Sequence, residues 1–327
     1  MNTKIFYIFL LVFALISAIN AQQYDFDAVE KYRMAKGKVR TQTQYTYDYE
    51  GGKPSTKGFK SSVTKFDQRG NVTEIANYNA QGKIISLIVS KYDSRDNRVI
   101  YERYQGGGSE KKLQYSQTTA YDSRGNKLKE SGFDGAATYE NIYRYEGGKV
   151  VEIIYNSDKA VTERRQIKYS GNKAEISIFD KNDNLEFRQE NTYNDKGMLI
   201  SEIKTGGKGN IIHTLNLKYN TAGDLTEEIK KRADNKLDYQ KNYQYDKDNR
   251  PIKEETVNLD GTKFISHEYK YSAIGDLQLE SWRKNERSSE ASTKKFTYDT
   301  KGLYTDVECY FANYKLKSLY KYSYEFY

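Results

Sequence analysis

Two prolines, one cysteine, two histidines and one tryptophan among 327 residues leave this chain poor in the groups from which many catalytic sites and many small stapled folds are built. The single cysteine, Cys309, excludes an intrachain disulfide framework, so stability has to come from packing and hydrogen bonding. A nucleophile needs a base within reach, and no motif links His213 or His267 to Cys309 or to each other. His213 stands in Ile211-Ile212-His213-Thr214-Leu215, where a hydrogen-bonded structural histidine is expected. Cys309, in Val307-Glu308-Cys309-Tyr310-Phe311, is expected to pack as a small apolar residue. Asp180-Lys181-Asn182-Asp183-Asn184 has the carboxylates of a calcium loop without its central glycine or its downstream glutamate, and is read as turn chemistry. Paired carboxylates for glycoside hydrolysis need a separation that the sequence does not supply, and the many glutamates that follow the turns read as a solvated face. No catalytic, cofactor-binding or metal-ligating residue is assigned, no cofactor is expected, and the chain is not expected to be an enzyme.

Blocks of like charge and long apolar runs are also scarce. The net charge is +8, but lysine and glutamate are interspersed, and short basic runs such as Arg164-Arg165 and Lys230-Lys231-Arg232 stand beside Glu163 and Glu228. No nucleic-acid partner is expected; weak attraction to anionic glycans or an envelope surface is compatible with the charge. The one apolar run, Ile5 to Ile16, follows Lys4 and precedes small residues up to Ala21. It reads as a secretory signal spanning 1–21, too short to span a bilayer comfortably, with no second apolar stretch after it. The protein is therefore expected to be exported, to the periplasm or outside the cell, with no integral membrane span once the signal is removed.

What the chain has in abundance is tyrosine, 32 residues, with 13 phenylalanines, at a mean hydropathy of -0.92. It also has a recurring stretch, seen most fully in Tyr121-Asp122-Ser123-Arg124-Gly125-Asn126-Lys127-Leu128. Asp at the first turn position can accept from backbone amides ahead of it, and Gly125 supplies a positive φ, so the unit is a hairpin tip between strand-forming residues. Relatives begin at Phe66, Tyr92, Tyr145, Tyr169, Tyr193, Tyr219, Tyr245, Tyr271 and Tyr298, a period of about 24 to 29 residues. A looser set of turns falls half a period later, around Asn79 to Gly82, Gly106 to Ser109, Asp134 to Ala137, Asn156 to Lys159, Lys181 to Asn184, Gly206 to Asn210 and Leu259 to Thr262. Two turns per period give two strands of roughly 8 residues each. The reading is an all-β antiparallel meander of about 20 strands. A twisted sheet of that size seldom stays open beyond roughly 10 strands, so it is expected to curl or close into a barrel-like or solenoid-like sheet with an interior of Tyr, Phe, Leu and Ile and no aqueous channel.

The series Tyr-Asp-x-x-Gly-Asn/Asp-Leu, in Tyr121 to Leu128 and, with Asn for Asp, in Tyr219-Asn220-Thr221-Ala222-Gly223-Asp224-Leu225, resembles the YD repeat of Rhs-type proteins. The resemblance runs from about Tyr47 to Tyr298. It implies an extended, curling antiparallel sheet, which in long members closes into a shell around a toxin. This chain lacks the proline- and glycine-bearing signature of the self-cleaving core boundary in those members, and nothing after Tyr298 looks like a toxin domain, so a short free-standing repeat protein is expected.

Within that frame, residues 22–45 read as an N-terminal cap and residues 46–327 as one repeat domain without a linker. Tyr24 to Arg40 is the place for a helix or irregular cover, with Phe26, Val29, Tyr32 and Met34 along one side; repeat arrays need such covers over exposed edges. Ser281 to Thr293 reads as a longer polar loop around Trp282. Tyr320, Tyr322, Tyr324 and Phe326 alternate with Lys321, Ser323 and Glu325, the pattern of a closing strand with one aromatic face. An outer-membrane barrel would need an apolar band on every strand, which Thr226-Glu227-Glu228-Ile229-Lys230-Lys231-Arg232 lacks. The leading functional expectation is a noncatalytic exported scaffold that binds a protein partner in the envelope, as an accessory subunit of an outer-membrane or secretion machine. The alternative is a carbohydrate-binding protein of the cell surface or periplasm. A bare edge strand or an unbroken apolar patch would favour the first; an exposed aromatic row with paired polar residues would favour the second.

Overall fold

The computed structural model describes residues 25–327, so the signal-sequence reading of 1–21 concerns residues outside that range. One helix, α1 (Phe26–Lys36), precedes the strands β1 (Val39–Glu50), β2 (Lys53–Pro54), β3 (Phe59–Phe66), β4 (Val72–Tyr78), β5 (Ile84–Tyr92), β6 (Arg98–Gln105), β7 (Lys112–Tyr121) and β8 (Lys127–Phe133). The meander continues through β9 (Thr138–Glu146), β10 (Lys149–Ser157), β11 (Ala160–Ser170), β12 (Lys173–Asp180), β13 (Leu185–Tyr193), β14 (Leu199–Gly206), β15 (Ile211–Tyr219) and β16 (Leu225–Arg232). It ends with β17 (Leu237–Tyr245), β18 (Pro251–Asn258), β19 (Lys263–Tyr271), β20 (Leu277–Trp282), β21 (Ser292–Tyr298), β22 (Tyr304–Phe311) and β23 (Leu316–Phe326). Consecutive strands pair antiparallel throughout, and β1 pairs with both β3 and β23, from Thr41 opposite Glu325 to Asp48 opposite Ser318. Apart from the two-residue β2, which only pairs back on β1, the result is a closed barrel of 22 strands. Closure pairs the first and last long strands and, among the described residues, leaves none of the 22 barrel strands at a free sheet edge.

The recurring turn closes as its chemistry dictates. In the best copy the Asp122 amide donates to the Asn126 carbonyl (2.8 Å) and the Gly125 amide to the Asp122 carbonyl (3.1 Å), with Gly125 at φ +87°. Asp122 Oδ1 accepts the amides of Arg124 and Asn126, and Oδ2 accepts the Asn126 side-chain amide, each at 2.8 Å. Asp67, Asp93 and Asp246 hold their turns through the same two backbone amides.

The motif tyrosine sits one residue earlier, at a register shift that adds a bulge to its strand, as between Ala120 and Tyr121 or Lys218 and Tyr219. From there its hydroxyl reaches back about 20 residues to the carbonyl that opens an earlier strand. Tyr145 donates to Lys127 (2.9 Å), Tyr219 to Leu199 (2.8 Å), Tyr245 to Leu225 (2.8 Å), Tyr271 to Pro251 (3.0 Å) and Tyr298 to Leu277 (2.7 Å). A strand-end carbonyl beside a turn has lost its ladder partner, so each bridge satisfies an orphan acceptor and ties one repeat to the next.

Helix α1 defines the inside. Asp25 caps it, accepting from the Ala28 amide at 3.0 Å. Lys31 pairs with Asp96 in the β5–β6 turn (2.9 Å), while Arg33, two residues on, pairs with Asp276 in the β19–β20 turn (2.9 Å). Those turns are eight strand spacings apart, about 38 Å along the wall, and an 11-residue helix is about 16 Å long. The helix is therefore a chord across the barrel mouth, and the strand face it touches is the lumen face. Met34 is fully buried there against Val39, Phe66 and Leu303. The Arg33 guanidinium lies over Tyr298 and Tyr304, 4.7 and 5.1 Å from the ring centroids, and Phe26 meets Tyr269 at 5.4 Å. The expected cover is thus a helix, but its packed side carries Glu30, Arg33 and Met34, whereas Tyr32 is 66% exposed. The barrel wall begins at Val39, so the residues from 39 to 45 belong to β1 and not to the cap.

The lumen face also differs from the expected apolar filling. Besides the Met34 cluster under α1, a second small apolar cluster, Tyr143, Ile153, Ile167 and Ala174, lies on it. Around that cluster the register brings buried polar residues together: Glu130 accepts from Tyr143 (2.8 Å) and pairs with Lys127 (2.9 Å), and Glu202 accepts from Gln189 (2.9 Å) and bonds His213 (2.9 Å). A 22-stranded wall is too wide for side chains to meet across it, so its polar inner residues satisfy one another along the wall. The opposite face carries cross-strand ion pairs such as Lys65–Glu74, Lys173–Glu190 and Lys218–Glu227. Among the described residues no helix is long and apolar enough to cross a membrane.

Candidate functional site

The barrel's two ends are unlike. At the end bearing the Tyr-Asp turns, one hairpin tip follows another beneath α1. At the opposite end most connections are equally tight, but the two longest, 51–58 and 283–291, flank a 3-10 turn at Ala312–Tyr314. In the closed order these three connections are consecutive, because β20, β21, β22, β23, β1 and β3 run side by side. The irregular chain therefore collects at the seam where β1 meets β23.

The 283–291 loop is the polar excursion expected around Trp282, and it is tied down. The Arg283 amide donates to the Ser266 carbonyl (3.0 Å), Asn258 Nδ2 to Glu286 (2.8 Å), and the Arg287 amide and Ser288 hydroxyl to Asn285 Oδ1 (3.1 and 3.3 Å). At the loop base Trp282 meets Phe311 edge-on at 6.2 Å.

Below the loop, the register places Thr293 and Lys295 of β21, Glu308 and Tyr310 of β22, and Lys317 of β23 on the outer face. With Glu290 they line a cleft of about 350 Å³. Through Glu290 the cleft continues into a polar hollow of about 520 Å³ between loop 283–291 and the 312–315 turn, lined among others by Lys284, Arg287, Tyr314 and Lys315. The Tyr49 hydroxyl donates to Glu308 (3.0 Å), and the Tyr310 hydroxyl donates to Glu290. Lys317 Nζ stands 6.0 Å from the centroids of both Tyr49 and Tyr310, and Lys321 Nζ 5.5 Å from that of Tyr47. Tyr47 packs against Gly58, where a Cβ would come within 2.6 Å of the ring. The Glu290 bond holds the Tyr310 hydroxyl above the usual phenol range, and partial burial followed by Glu308 does the same to Tyr49. Both phenols are thus neutral donors whose carboxylate acceptors are fixed. The arrangement offers aromatic surface, hydroxyls, two oriented carboxylates and free ammonium groups on a shallow wall.

His213 lies on the lumen face of β15, bonded to Glu202 as a structural histidine would be, and His267 lies on the same face of β19, stacked on Tyr269 at 6.1 Å. Cys309 is fully buried on β22, and burial pushes its thiol up to about 11. The Asp180 carboxylate accepts the amides of Asn182 and Asn184 (2.8 and 2.9 Å), the turn chemistry expected of it. None of these four is brought together with another or with the seam cleft. The seam residues carried only weak sequence signals: the lengthened Ser281 to Thr293 interval, and the alternation of Tyr45, Tyr47 and Tyr49.

No protein-family model and no curated protein matches the chain. Among solved structures it is similar to a porin-like protein from Bacteroides uniformis, at 14% identity, covering 73% of this chain and 95% of that one with a TM-score of 0.32. A porin-like protein from Bacteroides vulgatus matches at 12% identity over 88% of this chain and 98% of that one, with a TM-score of 0.23. The TcdB2-TccC3-TEV structure matches at 11% identity over 82% of this chain, with a TM-score of 0.30; the chain spans 18% of its length.

Proposed function

We propose that this protein is an exported, noncatalytic repeat barrel of the YD-repeat kind that binds carbohydrate through the seam cleft. The observation that carries the proposal is the outward row of Tyr47, Tyr49 and Tyr310, interleaved with Lys295, Lys317, Glu290 and Glu308. Tyrosine faces stack on the apolar faces of sugar rings, and carboxylates and ammonium groups held beside them meet the hydroxyls. The closed β1–β23 ladder removes the bare edge on which a peptide partner would add a strand, and the ion-paired outer wall is unlike a lipid-facing band. The test is binding of the purified barrel to a panel of immobilised polysaccharides, with a Tyr49→Ala/Tyr310→Ala variant alongside. Retention on at least one polysaccharide, lost in the variant, is expected; no retention on any would sink the reading.

A second reading, an accessory subunit docked on an outer-membrane or secretion component, rests on the rim of the same end. Ile85, Leu113, Val161, Ile211 and Leu259, each in or just after one of its turns, are between 36% and 52% exposed. Stoichiometric recovery of one envelope protein with the tagged barrel, abolished by Ile211→Asp/Leu259→Asp, would favour it.

A further inference from the structure

We infer that the ligand of the seam cleft is a polyanionic polysaccharide, one carrying carboxylates or sulfates along its chain; the inference rests on the carbohydrate reading above. Five cationic side chains line the cleft and its continuation (Lys284, Arg287, Lys295, Lys315 and Lys317) against two carboxylates, Glu290 and Glu308. The two carboxylates each accept a tyrosine hydroxyl, whereas Lys284, Lys295, Lys315 and Lys317 form no ion pair among the described residues. Elsewhere on the outer wall several lysines are matched. Lys65, Lys129, Lys173 and Lys218 each face a glutamate on the neighbouring strand and pair with it.

Single unpaired lysines such as Lys91, Lys168 and Lys270 also stand on the outer wall, but the seam gathers four within one cleft and its continuation, and surfaces that hold several such groups together concentrate anions. Lys317 adds a second constraint, because its Nζ stands between the rings of Tyr49 and Tyr310. A sugar laid on either ring brings its exocyclic acid group within reach of that nitrogen, while Lys295 and Lys315 stand ready for the residues before and after it. A repeating acidic chain can satisfy these cations in register; a neutral chain leaves them only their water.

The experiment is affinity electrophoresis of the full barrel through gels containing polygalacturonate, a sulfated dextran or unmodified dextran, with the salt concentration varied. Three proteins are compared: the native chain, Lys295→Gln/Lys317→Gln, and Lys173→Gln/Lys218→Gln, which removes the same charge from paired positions on the other side of the barrel. Native retardation by at least one acidic polymer is expected, falling at least tenfold in the cleft variant and less than twofold in the control, and weakening as salt rises. An equal loss in both variants would mean a diffuse basic wall and would overturn the inference. Retardation by unmodified dextran that equals that by the acidic polymers would overturn it too, while leaving the carbohydrate reading standing. Absence of retardation in all three gels would remove the carbohydrate reading and the inference together. Polygalacturonate against sulfated dextran decides between carboxylate and sulfate as the acidic group.

Discussion

The two ends of this barrel are made of the same hairpins and are used differently. At one end most tips, the two-residue connections at Gly147-Gly148 and Gly171-Asn172 apart, repeat a single set of bonds, and what sets two of them apart is the residue in the glycine position or just after it. Asp96 replaces the glycine, accepting φ +67°, and its carboxylate takes Lys31, Arg69 and Asn71; Asp276 follows the glycine and takes Arg33. Two substitutions in a repeated turn thus seat a helix that holds the mouth. At the other end the variation lies in length, and longer connections place side chains over the outer wall. Point changes within a recurring turn serve internal packing; insertions beside the seam create a surface.

Gly70 and Gly125 break the comparison most directly. They occupy the same turn position with φ +80° and +87°, but a Cβ at Gly70 would lie 2.1 Å from the Lys31 carbonyl oxygen, and one at Gly125 would meet nothing within 4 Å. Gly125→Ala should cost only the left-handed strain, about 1 to 2 kcal/mol. Gly70→Ala must also lift α1 from Met34's site, and the total should reach about 3 to 5 kcal/mol. Urea unfolding of the two variants reads the difference, and equal losses would mean that α1 is not docked against the turn.

Raising the pH separates the wall from the site. Burial pushes the hydroxyls of Tyr245 and Tyr269 up to about 12. For groups whose folded pKa is raised, the stabilisation is fully present below the unfolded value near pH 10 and is lost as pH rises from 10 through 12. The urea midpoint should therefore fall steeply over that window, and Tyr245→Phe should flatten the fall. A pH-independent midpoint between 10 and 12 would contradict the burial of these rings.

A hydroxyl deletion gives a smaller contrast. Tyr219→Phe removes the bond to the Leu199 carbonyl and leaves that acceptor unmet, at about 1 kcal/mol. Tyr310→Phe frees a surface carboxylate to water and should cost less than about 0.5 kcal/mol. Matched losses would mean that the tyrosine bridges between repeats are not part of what stabilises the barrel.

The sequence announced the wall and was nearly silent on what the wall carries. Strand number, turn chemistry and the tendency to close follow from a period, a turn motif and the limits of open sheets, all of them local or statistical properties of the chain. The tyrosine bridges were not legible as such. The aromatic alternation pointed to a strand with one aromatic face, and the reach of each hydroxyl to a carbonyl about 20 residues back depends on a bulge that only pairing creates. The lumen face was legible only in its aromatic and aliphatic part. Tyr, Phe, Leu and Ile do line it, but a 22-stranded wall has no opposite side within reach, so Glu130, Gln189 and Glu202 can also be buried there by neighbours on their own face. The seam escaped notice because its parts, Tyr49, Glu290, Tyr310 and Lys317, come from both ends of the chain and meet only when β1 pairs with β23.

Excising loop 283–291 in favour of a two-residue Asn-Gly connection sharpens the comparison with the least disturbance. Its anchors to the rest of the barrel, the bonds to Ser266, Asn258 and Tyr310, are polar and lie at the rim, and the strands it joins already pair from Leu279 opposite Lys295 to Trp282 opposite Ser292. Asn-Gly suits the type I′ turn that closes such a ladder, and loop length itself changes closure entropy by well under 1 kcal/mol. The melting temperature should shift by no more than a few degrees. Retention on the polysaccharide that binds the native barrel should disappear, since Lys284, Arg287 and Glu290 leave with the loop. A variant that unfolds would show the loop to be part of the closure; a stable variant that still binds would place the site on the strands alone, at Tyr49, Tyr310 and Lys317.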